Sequence, residues 1–223
     1  MHGAISQPNS SQPARATSTL GHLSRGLEWI WQLLSDVPHP QVLDCGPVSQ
    51  ATVDVLLRRR AKIHVADLIT PLLREESRFW DRRPKVAVFR TGEFLSQLPA
   101  IRAGSLHVVF GWHLLDLLPR EALPALVERW SSYLAPGGLL FCLLREPRLE
   151  KGAEMLWWLE SLTTLVSSRE GTRPFPYPAL TNREMERLVP SGNVKTFLTR
   201  SGRREVTVTL RPEPSRRRGG EGD

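Results

Sequence analysis

Cysteine is scarce in this 223-residue chain: Cys45 and Cys142 stand far apart, with no CxxC pair and no Cys/His cluster. No metal signature is therefore present, and both thiols, lying in apolar runs, are read as reduced residues of a core. Long hydrophobic runs are also missing. Nowhere do about eighteen apolar residues follow one another, and no basic segment leads into an apolar one at the N-terminus, so neither a membrane span nor export is expected. A cytoplasmic location is the default expectation. The phosphate-binding pattern GxGxxG is absent, which argues against an NAD-type dinucleotide site. Lysine is rare as well, so the net charge of +7 is carried almost wholly by arginine. With a pI near 10.2 the chain could attract phosphate, and RNA stays open as a partner. Yet the arginines are scattered through Arg58-Arg59-Arg60, Arg82-Arg83, Arg203-Arg204 and Arg216-Arg217-Arg218, and no nucleic-acid-binding module accompanies them.

What the chain does contain is an alternation of short apolar runs with amphipathic segments. Leu106–Phe110 has the length and valine content of a buried strand. Leu123, Leu126, Val127 and Trp130 then form one helical face, and Pro136-Gly137-Gly138 turns the chain into a second apolar run, Leu139–Leu144. Strand, helix and strand in that order require a crossover, hence parallel neighbours. Upstream, Leu23–Leu34 reads as a helix, Gln41–Cys45 as a strand, and Ser49–Arg60 as a helix with Val53, Leu56 and Leu57 inward. Ile63–Leu68 reads as a strand, Thr70–Phe79 as a helix opened by Thr70-Pro71, Val86–Phe89 as a third strand, and Leu95–Ile101 as a short irregular helix. Downstream, Glu154–Val166 has helical spacing, Glu184–Val189 a short helical pattern, and Val194–Thr199 with Glu205–Leu210 a hairpin about Ser201-Gly202. The expected fold is α/β: a doubly wound, mostly parallel seven-stranded sheet with a C-terminal antiparallel hairpin. Residues 1–20 and 213–223 are expected to be disordered, leaving one domain over 21–212.

In such a sheet, ligands bind at the carboxyl ends of the strands. Behind the first strand stands Asp44-Cys45-Gly46-Pro47-Val48-Ser49-Gln50, and Asp67 ends the second strand, about twenty positions after Gly46. Together with the Pro-Gly-Gly turn and the closing hairpin, this ordered set resembles the class I S-adenosylmethionine-dependent methyltransferases over roughly Leu27–Leu210. The resemblance implies S-adenosyl-L-methionine as cofactor and methyl transfer to a small or medium-sized acceptor. It further implies a cofactor site made by Asp44, Gly46 and Val48 on the first loop, and by Asp67 with Leu68 at the ribose. Glu93 and Phe94 would meet the adenine, and Phe110 and Trp112 would line the fourth strand's end. Asp67 could equally cap the following helix, and Trp112 could be ordinary core.

The family's loop is acidic-x-Gly-x-Gly-x-Gly, and here Val48 and Gln50 stand at the second and third glycine positions, while Pro47 removes an N–H donor. A methyltransferase-like domain that binds or regulates without catalysing is the alternative. His113 is the candidate catalytic base, because imidazole exchanges protons near neutrality. Trp157 and Trp158, adjacent on the expected helix, cannot share a face, so one of them points away from the core, either to meet an acceptor, a lid or a partner or as plain packing.

Overall fold

The structure, a computed structural model, describes residues 20–74, 77–83, 86–146, 155–169, 175–199 and 203–210. The expected disordered ends, residues 1–20 and 213–223, lie outside them except for Leu20. Ser201-Gly202 lies outside them too.

The chain opens with a short strand, β1 (Leu20–Leu23), and Ser24 then caps helix α1 (Arg25–Leu33), its Oγ accepting the N–H of Leu27 at 3.1 Å. Next come β2 (Gln41–Asp44), helix α2 (Gln50–Arg58) capped by Ser49, β3 (Lys62–Val65) and the short helix α3 (Ile69–Leu73). Strands β4 (Trp80–Arg83) and β5 (Val86–Phe89) precede helix α4 (Thr91–Leu95). The centre of the molecule is β6 (Leu106–Trp112), the one-turn helix α5 (Leu114–Leu117), α6 (Leu123–Tyr133) and the long strand β7 (Leu134–Arg145). Strands β8 (Met155–Leu159) and β9 (Thr164–Arg169), helix α7 (Asn182–Leu188) and the hairpin β10 (Gly192–Leu198) and β11 (Arg203–Leu210) complete the order.

The principal sheet runs β10-β11-β7-β6-β2-β3. Strands β7, β6, β2 and β3 are parallel, whereas β11 is antiparallel to β7 and β10 to β11, as the Val/Thr-rich C-terminal runs imply. Burial on both faces explains the uninterrupted apolar runs of β6 and β7: Val108, Val109, Phe110 and Leu139 through Leu144 all lie in the core. Cys45 and Cys142 are free and buried there, as expected.

The sheet has six strands, not seven. Val86–Phe89 is a strand, but it pairs antiparallel with β4 in a separate two-stranded ribbon, setting Trp80 opposite Phe89 with ring centroids 5.0 Å apart. That cross-strand aromatic pair gives so short a segment a partner close in sequence, and β3, with exposed Lys62 and Val65, is left as the sheet edge.

A second correction concerns Glu154–Val166. Its apolar spacing fits a helix, yet over 155–166 it forms β8, a turn and the start of β9, joined to β1 in a three-stranded antiparallel sheet of order β1-β9-β8. Trp157 and Leu159 alternate with half-buried Leu156 and Trp158, and the Ser161 hydroxyl accepts the N–H groups of Thr163 and Thr164 at the turn. Period two with a hydroxyl-closed turn wins over the coincident period of three and four. Smaller corrections follow the same logic. The helix expected over Thr70–Phe79 ends at Leu73, the one expected over Leu95–Ile101 begins at Thr91, and Leu57 is 56% exposed while Val55 takes the inward place.

Candidate cofactor site and its neighbour

The carboxyl ends of β2 and β6 meet over the loop that follows β2. Asp44 is buried there, and its Oδ1 accepts two hydrogen bonds, from the N–H of Gly46 at 2.9 Å and from Trp112 Nε1 at 2.5 Å. Burial raises the Asp44 carboxyl above its usual range, while those two bonds oppose the rise and the charge of Asp67 adds to it. Trp112 reaches this place through an irregularity at the end of β6. The register with β7 shifts between Phe110 and Trp112, and a Cβ on Gly111 would lie 2.8 Å from the Trp130 ring, so only glycine fits. Trp112 then takes a left-handed backbone angle, φ 46°, unusual for a bulky residue. Its indole is 1% exposed and packs on Phe110 and Phe141, centroids 5.6 and 6.3 Å away.

The indole covers the glycine. A Cβ built on Gly46 would stand 2.6 Å from Trp112 Nε1 and 2.7 Å from Cδ1. The space on the Cβ side of Gly46 is therefore filled from within the chain. Val48 does not crowd it, being 73% exposed, and Gln50 is exposed at the start of α2, where its Nε2 donates to Asp54 at 2.7 Å.

Asp67 and Leu68 lie beside this loop. The Leu68 N–H donates to the Cys45 carbonyl at 3.2 Å, and Asp67, half-buried, accepts the N–H groups of Ile69 and Thr70 at 3.2 and 2.9 Å. Asp67 thus caps α3 in place of the expected Thr70. Glu93 and Phe94 do not join them. Glu93 is exposed and pairs with Arg90 at 3.1 Å, and Phe94 is buried against Phe79 and Phe89, both at 5.4 Å, under the β4–β5 ribbon. The sequence-predicted set is therefore split. Asp44, Gly46, Asp67, Leu68, Phe110 and Trp112 gather at the ends of β2, β3 and β6, while Val48 and Glu93 face solvent.

His113, next to Trp112, points to the other side of β6. It is 1% exposed, both ring nitrogens lack a hydrogen-bond partner, and burial together with the charge of Arg203 lowers its pKa to about 3. The imidazole is thus neutral near pH 7 and has little basicity, unlike the poised base expected from the sequence. Around it stand Asp116, Arg145 and Arg203, all buried. Asp116 accepts the backbone N–H of Arg145 at 2.8 Å, and its Oδ2 lies 3.6 Å from Arg145 Nε, so it anchors the end of β7. Phe175 covers Arg145, with the guanidinium carbon 4.1 Å from the ring centre, and Trp157 faces Arg203 at 5.2 Å. Sequence reasoning missed Arg145 and Arg203. Their signal was there: an arginine closing a run of buried apolar residues, and another opening a Val/Thr strand. No group of three or more metal-ligating side chains occurs among the described residues.

Neither a protein-family model nor a curated protein matches the sequence. Solved structures do match the fold. An S-adenosylmethionine-dependent methyltransferase from Clostridium acetobutylicum aligns over 83% of this chain and 91% of its own, at 12% identity and a TM-score of 0.50. One from Mesorhizobium loti covers 82% and 97% at 12% identity, with a TM-score of 0.47. The 1,6-didemethyltoxoflavin-N1-methyltransferase of Burkholderia thailandensis, solved with 1,6-didemethyltoxoflavin and S-adenosylhomocysteine, covers 85% and 80% at 13% identity, with a TM-score of 0.46. The chain has the fold of the S-adenosylmethionine-dependent methyltransferases.

Proposed function

We propose that this chain is a methyltransferase-fold binding domain that does not transfer methyl groups, because its own Trp112 stands over the Gly46 loop. In this fold, glycine after the first strand lets the cofactor lie against the backbone. Here the 2.6 Å approach between a Cβ on Gly46 and Trp112 Nε1 leaves that place to the indole. The residues present do not fit S-adenosylmethionine in this arrangement, and no reaction step is derived through it. Asp44, the acid nearest that loop, spends Oδ1 on Gly46 and on Trp112. The neutral, enclosed His113 adds no base. Titrating the full chain with S-adenosylmethionine and S-adenosylhomocysteine by calorimetry, and analysing the purified protein for either by mass spectrometry, tests the reading. No saturable binding near millimolar ligand is expected, and a bound cofactor or product in the purified protein would overturn it.

A second reading, S-adenosylmethionine-dependent methyl transfer to a small-molecule acceptor, is favoured by one observation. Asp44 and Asp67 stand at the ends of adjacent strands, close enough that the charge of one raises the carboxyl of the other. That is the placement a ribose-binding acid beside the first loop would need. This reading requires Trp112 to leave its position before the cofactor enters.

A further inference from the structure

We propose that β10 pairs edge to edge with β10 of a second copy of this chain, antiparallel about a twofold axis at Thr196, so that the two principal sheets continue into one another. The strand lies at the far side of the sheet from β2 and the Gly46 loop, so the pairing is independent of whether a cofactor binds there.

The first argument is an open edge. Among the described residues no strand lies beyond β10, which pairs with β11 along Gly192–Leu198 without a register shift. The Thr199 N–H donates to the Arg203 carbonyl at 2.8 Å, and this bond fixes the phase of the ladder. Asn193, Lys195 and Phe197 therefore exchange bonds with β11, while the main-chain groups of Val194, Thr196 and Leu198 point to the open side. Edge strands that stay single are usually short or bulged, or they carry proline or an outward charge. The other edge, β3, has 4 residues and starts at exposed Lys62. β10 has 7, with no proline and no bulge, and ends in Leu198, which is 75% exposed.

The second argument is self-complementarity, which selects the occupant. Opposed residues of an antiparallel pair share a face, so two copies of β10 related by a twofold axis meet only in registers centred on one residue. Centred on Lys195, two ammonium groups would be directly opposed and Leu198 would face Gly192. Centring on Val194 leaves Leu198 outside the ladder, and centring on Phe197 shortens it to Thr196–Leu198. Centred on Thr196, Lys195 stands opposite Phe197 of the second copy, Leu198 opposite Val194, and Thr196 opposite Thr196, and symmetry repeats the first two pairs. Lys195 already lies against aromatic faces, its Nζ 4.9 Å from the Trp29 ring centre and 5.1 Å from that of its own Phe197. The pairing adds a further ring for that cation and covers the exposed Leu198 with half-buried Val194.

The test uses the full chain. Sedimentation velocity from about 1 to about 200 µM is expected to show a weight-average mass rising from 25.2 kDa toward twice that value. Leu198→Lys sets a charge opposite Val194, and Thr196→Pro removes an N–H on the open side while sparing the bonds to β11. Each should raise the dissociation constant by at least about tenfold. Thermal unfolding of the dilute variants establishes that they fold. Hydrogen exchange of the unsubstituted chain serves if they do not, with the amides of Val194, Thr196 and Leu198 expected to slow as concentration rises. Mixing the unsubstituted chain with Lys195→Glu tests the register, since opposed residues at 195 would favour the mixed dimer and a Thr196 axis would not. A monomer throughout the range, a dimer that both edge variants leave unweakened, slowing at β3 in place of β10, or a favoured mixed dimer would each overturn the proposal.

Discussion

If the Trp112 indole keeps S-adenosylmethionine out, its removal should let the cofactor bind, and the size of the change follows from what holds the ring in place. Swinging the 1%-exposed indole into water forfeits its burial, about 2–3 kcal/mol, and its hydrogen bond to the Asp44 carboxyl, about 1.5–3 kcal/mol. An open state about 4–6 kcal/mol above the closed one is populated to between about one part in a thousand and about one in twenty-five thousand. A cofactor with intrinsic micromolar affinity would then bind the unsubstituted chain at millimolar concentrations or worse. Trp112→Gly removes the barrier. Deleting a buried indole costs about 3–5 kcal/mol, of which relief of the left-handed backbone at φ 46° returns about 1 kcal/mol. The variant should therefore be about 2–4 kcal/mol less stable in urea and bind S-adenosylmethionine at least about a hundredfold more tightly by calorimetry. Trp112→Phe, which keeps one ring and loses the N–H together with the rest of the bicycle, should fall between the two. Two results would refute the reasoning: a dissociation constant below about 100 µM for the unsubstituted protein, or a folded Trp112→Gly variant that gains nothing.

Gly46→Ala should cost about 1–3 kcal/mol in urea unfolding through the clash with Trp112, and little in a Trp112→Gly background; additive costs in that double-mutant cycle would show that the two residues do not compete for the same space. His113 has a folded pKa of about 3 against 6.5 for the free side chain, so the unfolded chain takes up the proton first. Its contribution to stability is complete above pH 6.5 and is lost as pH falls toward 3, with a limiting slope of about 1.4 kcal/mol per pH unit. The raised carboxyls of Asp44 and Asp116 act in the opposite sense. The comparison is therefore urea midpoints from pH 7 to 5 for the unsubstituted chain and His113→Asn, and equal slopes would contradict the burial of a neutral imidazole. Asp67→Ala should cost about 1 kcal/mol as the loss of a helix cap, and Asp67→Asn only a few tenths, measured by thermal unfolding.

Burial made most of the fold legible. Strands β6 and β7 are apolar because both faces of a parallel strand are covered, and the Thr/Val hairpin announced itself by alternation. Val86–Phe89 was misplaced because sequence shows that a strand forms, not which neighbour it pairs with. The opposed Trp80 and Phe89 decide that locally. For the 155–166 segment, Leu156, Leu159, Leu162 and Leu165 satisfy the helical period while Trp157 and Leu159 satisfy the strand period. Only packing against β1, whose first residue falls in the stretch expected to be disordered, separates the two. The cofactor side was legible as a set of residues and illegible as a space. Val48 was the visible obstacle and turns outward, while the Trp112 indole, unmarked in the sequence as an obstacle, stands 2.6 Å from where a Cβ on Gly46 would be.

The two halves of this site are linked through one backbone reversal. Gly111 lets β6 approach Trp130 and Cys142, the register shifts, and Trp112 turns left-handed, so that consecutive side chains leave on opposite sides of the strand. Trp112 closes the Gly46 loop on the β2 side, and His113 goes under Phe175 toward Arg145 and Arg203 on the β7–β11 side. A residue at 112 with ordinary strand angles would move both, because His113 inherits its direction from the turn before it. Covering the Gly46 loop and enclosing His113 are therefore one structural event. Trp112→Val, which removes the indole and disfavours the left-handed angle, should then shift the imidazole NMR resonances of His113 as well as uncover the Gly46 loop, although residue 112 would touch neither guanidinium. A folded Trp112→Val variant whose His113 resonances stay where they are in the unsubstituted protein would show that the two sides are independent.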